Sequence, residues 1–168
     1  MNFAKTAAVA AALSLLAAPA FAQVGSAYGN LGAKTIEFDT YSLEGKLGYQ
    51  FTDYFSVEGQ GSVGIIGDDE DGFEIDESYS LGGFFRASTD VGERFNFFGR
   101  IGYAVTEFEV EDVADLSVDG VAYGFGGEYV FDTQNGVRLE YTAYDFGEEN
   151  GVDIGTADTV SLSYVRRF

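Results

Sequence analysis

The feature that most constrains this chain is an alternation of apolar and polar residues with a period of two. From Tyr41 onward, every second residue is mostly apolar, tyrosine or glycine, and the residues between them are mostly polar or charged. This period is typical of β-strands whose two faces meet different surroundings. Seven clear strands are predicted, at residues 41–51, 55–65, 78–88, 95–106, 121–131, 137–144 and 160–168. With a less distinct first strand near 27–37, the chain is predicted to be all-β with eight strands.

The polar faces of these strands carry nearly balanced charge. With one phase chosen for each strand, nine charged side chains fall on the polar faces, and only Arg166 falls among the apolar residues. The nine are Glu44, Lys46, Glu58, Arg86, Arg100, Glu128, Arg138, Glu140 and Arg167. They comprise five cations and four anions, whereas the whole chain has a net charge of −19.

Two architectures place eight such strands in one small domain: a soluble barrel with an apolar interior and a membrane barrel with an apolar exterior. A solvated outer face has no reason to be balanced when the rest of the chain is so acidic. Charges inside a narrow lumen must be paired, because an isolated buried ion is costly. The balance therefore favours an antiparallel up-and-down transmembrane barrel. Its lumen is predicted to hold a network of ion pairs formed by the nine residues and, at this strand number, to be filled by side chains.

Aromatic residues in the apolar rows gather near both ends of the strands, where a membrane protein meets the water interface. One rim is predicted to comprise Tyr49, Phe51, Phe55, Phe85, Phe95, Phe97, Tyr129, Phe131 and Phe168, and the other Tyr41, Tyr79, Tyr103 and Tyr123. The row from Tyr41 to Tyr49 climbs roughly 20 Å at the tilt usual for such barrels, close to their apolar band of about 25 Å.

The N-terminus has the layout of a secretory signal peptide. Residues 1–22 contain a lysine, a short apolar stretch and a small-residue ending, Ala-Phe-Ala. The apolar stretch is shorter than the ~20 residues that a membrane-spanning helix needs. Cleavage is predicted before Gln23, which leaves residues 23–168 as the barrel domain.

The connections between strands alternate between short and long. Short connections are predicted at 52–54, 89–94 and 132–136, and long ones at 67–77, 107–119 and 145–158, with a smaller tip near Asp39. Membrane barrels have short periplasmic turns and long outer loops, and an even number of strands returns both termini to the periplasm. Twenty of the 28 acidic residues lie in or beside the four outer connections. The outer surface is therefore predicted to be strongly anionic.

These features together resemble a known family, the small OmpA/OmpX-type outer-membrane barrels of Gram-negative bacteria, also called porin-family or outer-membrane β-barrel domain proteins. The last strand, SLSYVRRF, is similar to the assembly signal of that family, carried here by Val160, Leu162, Tyr164 and Phe168. Arg166 stands where that signal usually has an apolar residue. The resemblance implies residence in the bacterial outer membrane, contact with its lipid and lipopolysaccharide, assembly by the insertion machinery with periplasmic chaperones, and a monomeric state.

Several classes of function are disfavoured by residue content. Cysteine, histidine and tryptophan are absent, which removes disulfides, thiolate or imidazole metal sites and every nucleophile that needs a histidine base. The outer-membrane barrels that are enzymes, to which the resemblance invites comparison, rely on a histidine. We therefore expect no catalysis and no cofactor, and the negative charge argues against binding to nucleic acid.

Two local motifs are weak. Residues 59–64 match the dinucleotide fingerprint G-x-G-x-x-G, but a strand continues where that motif requires a helix. The run Asp68-Asp69-Glu70-Asp71-Gly72 suggests a calcium loop, yet placing Gly72 at the sixth position puts Gly67 at the first ligand position. No defined metal site is predicted, and loose bridging by divalent cations to lipopolysaccharide phosphates is left open.

The sequence thus predicts a non-enzymatic outer-membrane barrel that anchors acidic surface loops and contributes to envelope integrity or surface interaction. The alternatives are a narrow ion-conducting channel, if the lumen network is looser than argued, and a surface adhesin. A soluble binding barrel would require the opposite assignment of the two faces. The phase of the first strand is undecided, because Asn30 and Lys34 share a face with Tyr28, Ile36 and Phe38.

Overall fold

The chain forms one closed β-barrel. A computed structural model describes residues 26–36, 40–66, 75–91, 94–110, 116–149, 152–153 and 155–168. The barrel strands are β1 (Ser26–Ile36), β2 (Thr40–Gln50), β3 (Phe55–Ile66), β4 (Ile75–Val91), β5 (Phe95–Val110), β6 (Leu116–Val130), β7 (Asn135–Asp145) and β10 (Thr156–Arg167). A separate two-stranded pair, β8 (Glu148–Glu149) and β9 (Val152–Asp153), lies in the connection between β7 and β10. The predicted signal peptide and the run at 68–72 lie outside the described residues.

Each barrel strand pairs antiparallel with its neighbours in the chain, and β1 pairs with β10 to close the sheet. Closure leaves no unpaired sheet edge. The predicted eight-stranded antiparallel up-and-down barrel is confirmed. Residues 59–64 lie within β3, as the sequence predicts for a motif with no helix after it. Within the described ranges, no helix is long and apolar enough to cross a bilayer.

Five strands are clearly longer than predicted, namely β4, β5, β6, β7 and β10. The strands β4, β5 and β6 have 17, 16 and 15 residues, and the ladder between β4 and β5 continues to the pair Ile75 and Val110. Of the predicted loops at 67–77 and 107–119, residues 75–77, 107–110 and 116–119 are therefore strand. An antiparallel ladder satisfies backbone groups whatever the side chains are, so it can extend past the end of the apolar rows.

The barrel is polar inside and apolar outside. Outward side chains such as Leu81, Phe125 and Leu162 are more than half exposed, at 59%, 65% and 58%. The charged rows point inward and are buried. The structure also decides the phase of β1, whose buried face carries Asn30 and Lys34.

Two inward glycines make room for inward aromatic rings. A Cβ atom at Gly48 would overlap the ring of Tyr28, which lies opposite Gly48 in the ladder between β1 and β2. A Cβ atom at Gly126 would lie 2.5 Å from Cζ of Phe98 on the neighbouring strand. These positions therefore require glycine, because any larger residue would displace a ring from the lumen.

Candidate functional site in the barrel lumen

The centre of the lumen is bridged by one ion pair across the full diameter of the barrel. Glu58 on β3 and Arg138 on β7 lie four strands apart in the ring of eight, and Arg138 Nη1 donates to Glu58 Oε1 at 2.8 Å. Tyr28 donates its hydroxyl to the same Glu58 oxygen at 2.6 Å. The Nη1 atom of Arg100 lies 3.6 Å from the other Glu58 oxygen. Side chains from β1, β5 and β7 therefore meet on the buried carboxylate that β3 provides.

A second cluster surrounds Glu140. Its Oε1 atom accepts hydrogen bonds from Lys46 Nζ at 2.5 Å and from the Thr142 hydroxyl at 3.3 Å. Arg100 Nη2 lies 2.6 Å from the same oxygen, and Lys46 Nζ also lies 2.9 Å from Glu44. Lys46 is buried on β2, so this cluster ties β2, β5 and β7 together inside the barrel.

A third cluster surrounds Glu128 near the end of the barrel that holds the C-terminus. Arg138 Nη2 donates to Glu128 Oε2 at 3.1 Å, which links this cluster to the diametric pair. Arg167 Nη2 donates to Glu128 Oε1 at 2.5 Å, and Arg86 Nη2 lies 3.6 Å from Glu128 Oε2. Arg167 is 35% exposed, so it forms the outermost member of the network at this end.

Aromatic rings pack against the arginines. The guanidinium carbon of Arg100 lies 3.9 Å from the ring centre of Phe84. Those of Arg86 and Arg138 lie 4.3 and 4.8 Å from the ring centre of Phe98. These cation–π distances are short, and the water-poor surroundings strengthen such contacts. The rings therefore hold the guanidinium groups in place as well as fill space.

The nine residues predicted for the lumen all point inward, and every one of them has at least one ion pair with another of the nine. These pairs involve Glu44, Lys46, Glu58, Arg86, Arg100, Glu128, Arg138, Glu140 and Arg167. Lys34 is a further inward cation, with Nζ 5.8 Å from the ring of Tyr144. The described part of the lumen thus holds six basic side chains and four carboxylates.

Sequence reasoning missed several participants. Tyr28 lay on the strand of undecided phase, and Phe84 and Phe98 stood in the polar rows without an assigned role. The signal that could have found the phenylalanines is the occurrence of a large apolar residue in a polar row, together with glycines on adjacent strands. Among the described residues, no group of three Asp, Glu, His or Cys side chains is arranged to hold a metal ion.

The residues of the predicted assembly signal lie on β10 and at its end. Leu162 and Tyr164 point outward and are exposed, and Val160 is half-buried. The backbone N–H of Phe168 donates to the Ala27 carbonyl at 2.9 Å, next to the seam where β10 closes on β1. Recognition of this strand by an insertion machinery stays a prediction.

Exposed aromatic rings are grouped at the end of the barrel that holds the C-terminus. The rings of Phe55 and Phe85 have centres 5.5 Å apart, and that of Tyr129 lies 5.0 Å from Phe95 and 5.5 Å from Phe131. Rings in this position are typical of a protein that meets a membrane interface.

Comparison with known proteins decides the family. The sequence profile described as outer membrane protein beta-barrel domain matches residues 8–168. The chain belongs to this family. Membership of this family places the protein in the bacterial outer membrane. The apolar rows on the outside of the barrel therefore face lipid. No curated protein sequence matches the chain significantly.

Solved structures of outer-membrane barrels have the same fold. Ail of Yersinia pestis, in complex with the heparin analogue sucrose octasulfate, has a TM-score of 0.62 at 16% identity, covering 87% of this chain and 100% of Ail. The N-terminal barrel of Pseudomonas aeruginosa OprF has a TM-score of 0.67 at 14% identity, covering 86% and 99%. Pseudomonas aeruginosa OprG has 0.56 at 11% identity, covering 86% and 93%. At these identities the similarity shows the fold alone.

Proposed function

We propose that this outer-membrane barrel is a non-enzymatic, non-conducting anchor that holds acidic surface loops and contributes to envelope integrity or surface interaction. The observation that carries the proposal is the buried Glu58–Arg138 pair, which spans the barrel diameter and is joined to the two neighbouring clusters. A continuous set of paired side chains leaves no wide aqueous path at that level. The buried carboxylates are held by basic groups, which is the usual sign of a structural network and not of acid–base chemistry.

The orientation proposed for the barrel follows from its two ends. The tight turns at 51–54 and 131–134 lie at the same end as both described termini, whereas the long, acid-rich connections lie at the other. Short turns and termini are periplasmic in barrels of this type. We therefore assign the acidic end to the cell surface and the predicted signal peptide to export across the inner membrane.

Conductance of the purified protein in planar bilayers tests the closed lumen. We expect no stable steps from the wild type, and steps from the double variant Glu58→Ala/Arg138→Ala, which lacks the diametric contact. Because the described lumen has more basic than acidic side chains, the steps should favour anions. The matched control is Leu139→Ala, which changes the outward neighbour of Arg138. Stable, ion-selective steps from the wild type would instead support the narrow-channel alternative.

A second candidate, surface adhesion, is favoured by the concentration of acidic residues in the outer connections. Ail was crystallised with a sulfated polyanion. The acidic outer connections of the present chain would repel such a polyanion. A surface partner of this chain should therefore be cationic. Deleting residues 67–74 and 111–115 and measuring adsorption of a cationic peptide tests this. Unchanged adsorption would eliminate adhesion through these loops.

The proposed partners are the lipids around the barrel, with lipopolysaccharide on the outer side and the insertion machinery and periplasmic chaperones during assembly. Acidic loops and lipopolysaccharide phosphates repel one another unless divalent cations lie between them. We also propose a monomer, because every barrel strand is paired within the closed sheet and none of them offers an open edge to a second copy.

A further inference from the structure

The basic residues of this chain are divided unevenly between the lumen and the surface. Of the nine in the sequence, Lys5 lies in the predicted signal peptide and the other eight are described. Six of these point into the lumen, namely Lys34, Lys46, Arg86, Arg100, Arg138 and Arg167. Only Arg94 and Arg166 are exposed, and both lie at the end assigned to the periplasm. The described surface of the barrel thus carries basic charge at one rim alone.

Arg94 is anchored to the aromatic group at that rim. Its carbonyl accepts a hydrogen bond from the Val130 N–H at 2.8 Å, and its Nη1 donates to the Tyr129 hydroxyl at 3.4 Å. Tyr129 itself packs between the rings of Phe95 and Phe131. A guanidinium has five N–H donors, so its contact with Tyr129 leaves donors for a phosphate, which arginine binds in bidentate geometry.

Arg166 occupies a comparable position three strands away. It points outward from β10, opposite Asn135 on β7 and beside the outward Tyr164. The nearby Asp132 carboxylate attracts Arg166, but that carboxylate is also held by hydrogen bonds from the side chain of Asn135 and from the N–H groups of Gln134 and Asn135. Arg166 is therefore not its sole partner. Three strand spacings of about 4.8 Å separate Arg94 from Arg166 by about 14 Å around the barrel. That distance suits two separate headgroups.

We propose that Arg94 and Arg166 bind the phosphates of anionic phospholipids in the periplasmic leaflet of the outer membrane. Charge complementarity supports this occupant, because these are the exposed basic groups of the described chain and they lie where headgroups meet the barrel. The opposite rim offers no counterpart among the described residues. There the outward Tyr103 hydroxyl donates to the carboxylate of Asp119, an arrangement that would repel a phosphate. The inference rests on the proposed orientation.

Native mass spectrometry of the detergent-solubilised barrel with phosphatidylglycerol and phosphatidylcholine tests this. We expect the wild type to retain phosphatidylglycerol in preference to phosphatidylcholine, with up to two molecules bound. The preference for phosphatidylglycerol should fall about fivefold in Arg94→Gln and in Arg166→Gln. In the double variant it should fall by the product of the two single effects. The charge-conserving variant Arg94→Lys/Arg166→Lys should keep most of it.

The matched control is Asp119→Asn, which changes the net charge by one unit at the opposite rim and should leave the preference unchanged. Equal preference in the wild type and the double Gln variant would overturn the proposal, as would a wild type without preference. Gel mobility with and without heating is measured for every variant, because a folded barrel migrates differently before heating. A variant that stays heat-modifiable but loses the lipid preference is folded and has lost only the lipid interaction. The closed lumen is tested separately, by the conductance experiment.

Discussion

The two halves of the lumen are filled by different means. Toward the periplasmic end, charged side chains from facing strands meet in the clusters around Glu58, Glu128 and Glu140. Toward the outer end, small and aromatic side chains pack together beside the buried Lys34. Ala104, Ala122 and Tyr144 are buried there, and the rings of Tyr144 and Phe146 stack with their centres 6.1 Å apart. A charged filling depends on every partner being present. In a mostly uncharged filling, loss of one hydrogen-bonding group leaves no buried ion without a partner, so such a change should cost less there.

The largest effect is expected from Arg138→Met. The change removes the cation shared by Glu58 and Glu128 and leaves buried carboxylates with weaker partners, at a cost of about 3–5 kcal/mol in the free energy of unfolding. Urea unfolding in lipid vesicles measures it. Adding Glu58→Gln to Arg138→Met should recover part of the loss. A midpoint unchanged from wild type would show that the network does not stabilise the barrel.

Replacing glycine should cost more stability on the lumen face of a strand than on the lipid face. Gly48→Ala places a methyl group against the Tyr28 ring inside the lumen and should cost about 1–3 kcal/mol. Gly59→Ala is the matched control, because nothing lies within 4 Å of its Cβ position on the lipid-facing side. Equal unfolding midpoints for these two variants would contradict the close packing at Gly48.

A smaller effect is expected in the outer half. Tyr144→Phe keeps the stacking with Phe146 but removes the hydroxyl that accepts a 2.9 Å hydrogen bond from Gln60 Nε2. The expected cost is about 1 kcal/mol, well below that of Arg138→Met. The same unfolding assay measures it. A loss as large as that of Arg138→Met would show that the outer half depends on polar contacts after all.

The smallest effect concerns the periplasmic turn at 131–134. Hydrogen bonds from the Asn135 side chain and the Gln134 backbone lower the pKa of Asp132 below its ordinary value of 3.8. Because the pKa of Asp132 is lower in the folded state than in the unfolded state, its ionised carboxylate stabilises the fold at pH values above the unfolded-state pKa. This stabilisation is lost as the pH falls through the folded-state pKa.

Thermal midpoints at pH 7 and pH 3 test this turn in the wild type and in Asp132→Asn. The wild type should lose slightly more stability on acidification than the variant. Identical losses in the two proteins would show that the Asp132 bonds do not contribute.

Much of the architecture was predictable from the sequence. The alternation along β2, β3 and β5 predicted both the strands and the direction of their side chains, because one residue step always changes the face. The strand β1 lacked that signal, since its inward face mixes Tyr28 with Asn30 and Lys34. The ends of β4, β5 and β6 were also missed, because ladder pairing outside the membrane needs no apolar pattern.

The candidate site was predictable in content but not in arrangement. The charge balance identified the residues that enter the lumen, whereas the contact of Glu58 with Arg138 joins positions 80 residues apart in the chain. Such pairs depend on strand number and register around the closed ring, and no local pattern records them.

For the seven clearly alternating strands, the sequence alone determined which surroundings each face must meet, because the period of two and the sign of each charge are local properties. Tertiary structure alone decided which carboxylate meets which cation, where only glycine leaves room for an aromatic ring, and that Arg94 contacts Tyr129. The physical reason is that closing the barrel brings distant strands within hydrogen-bonding distance, and buried charges then stabilise the fold only where their partners are in reach.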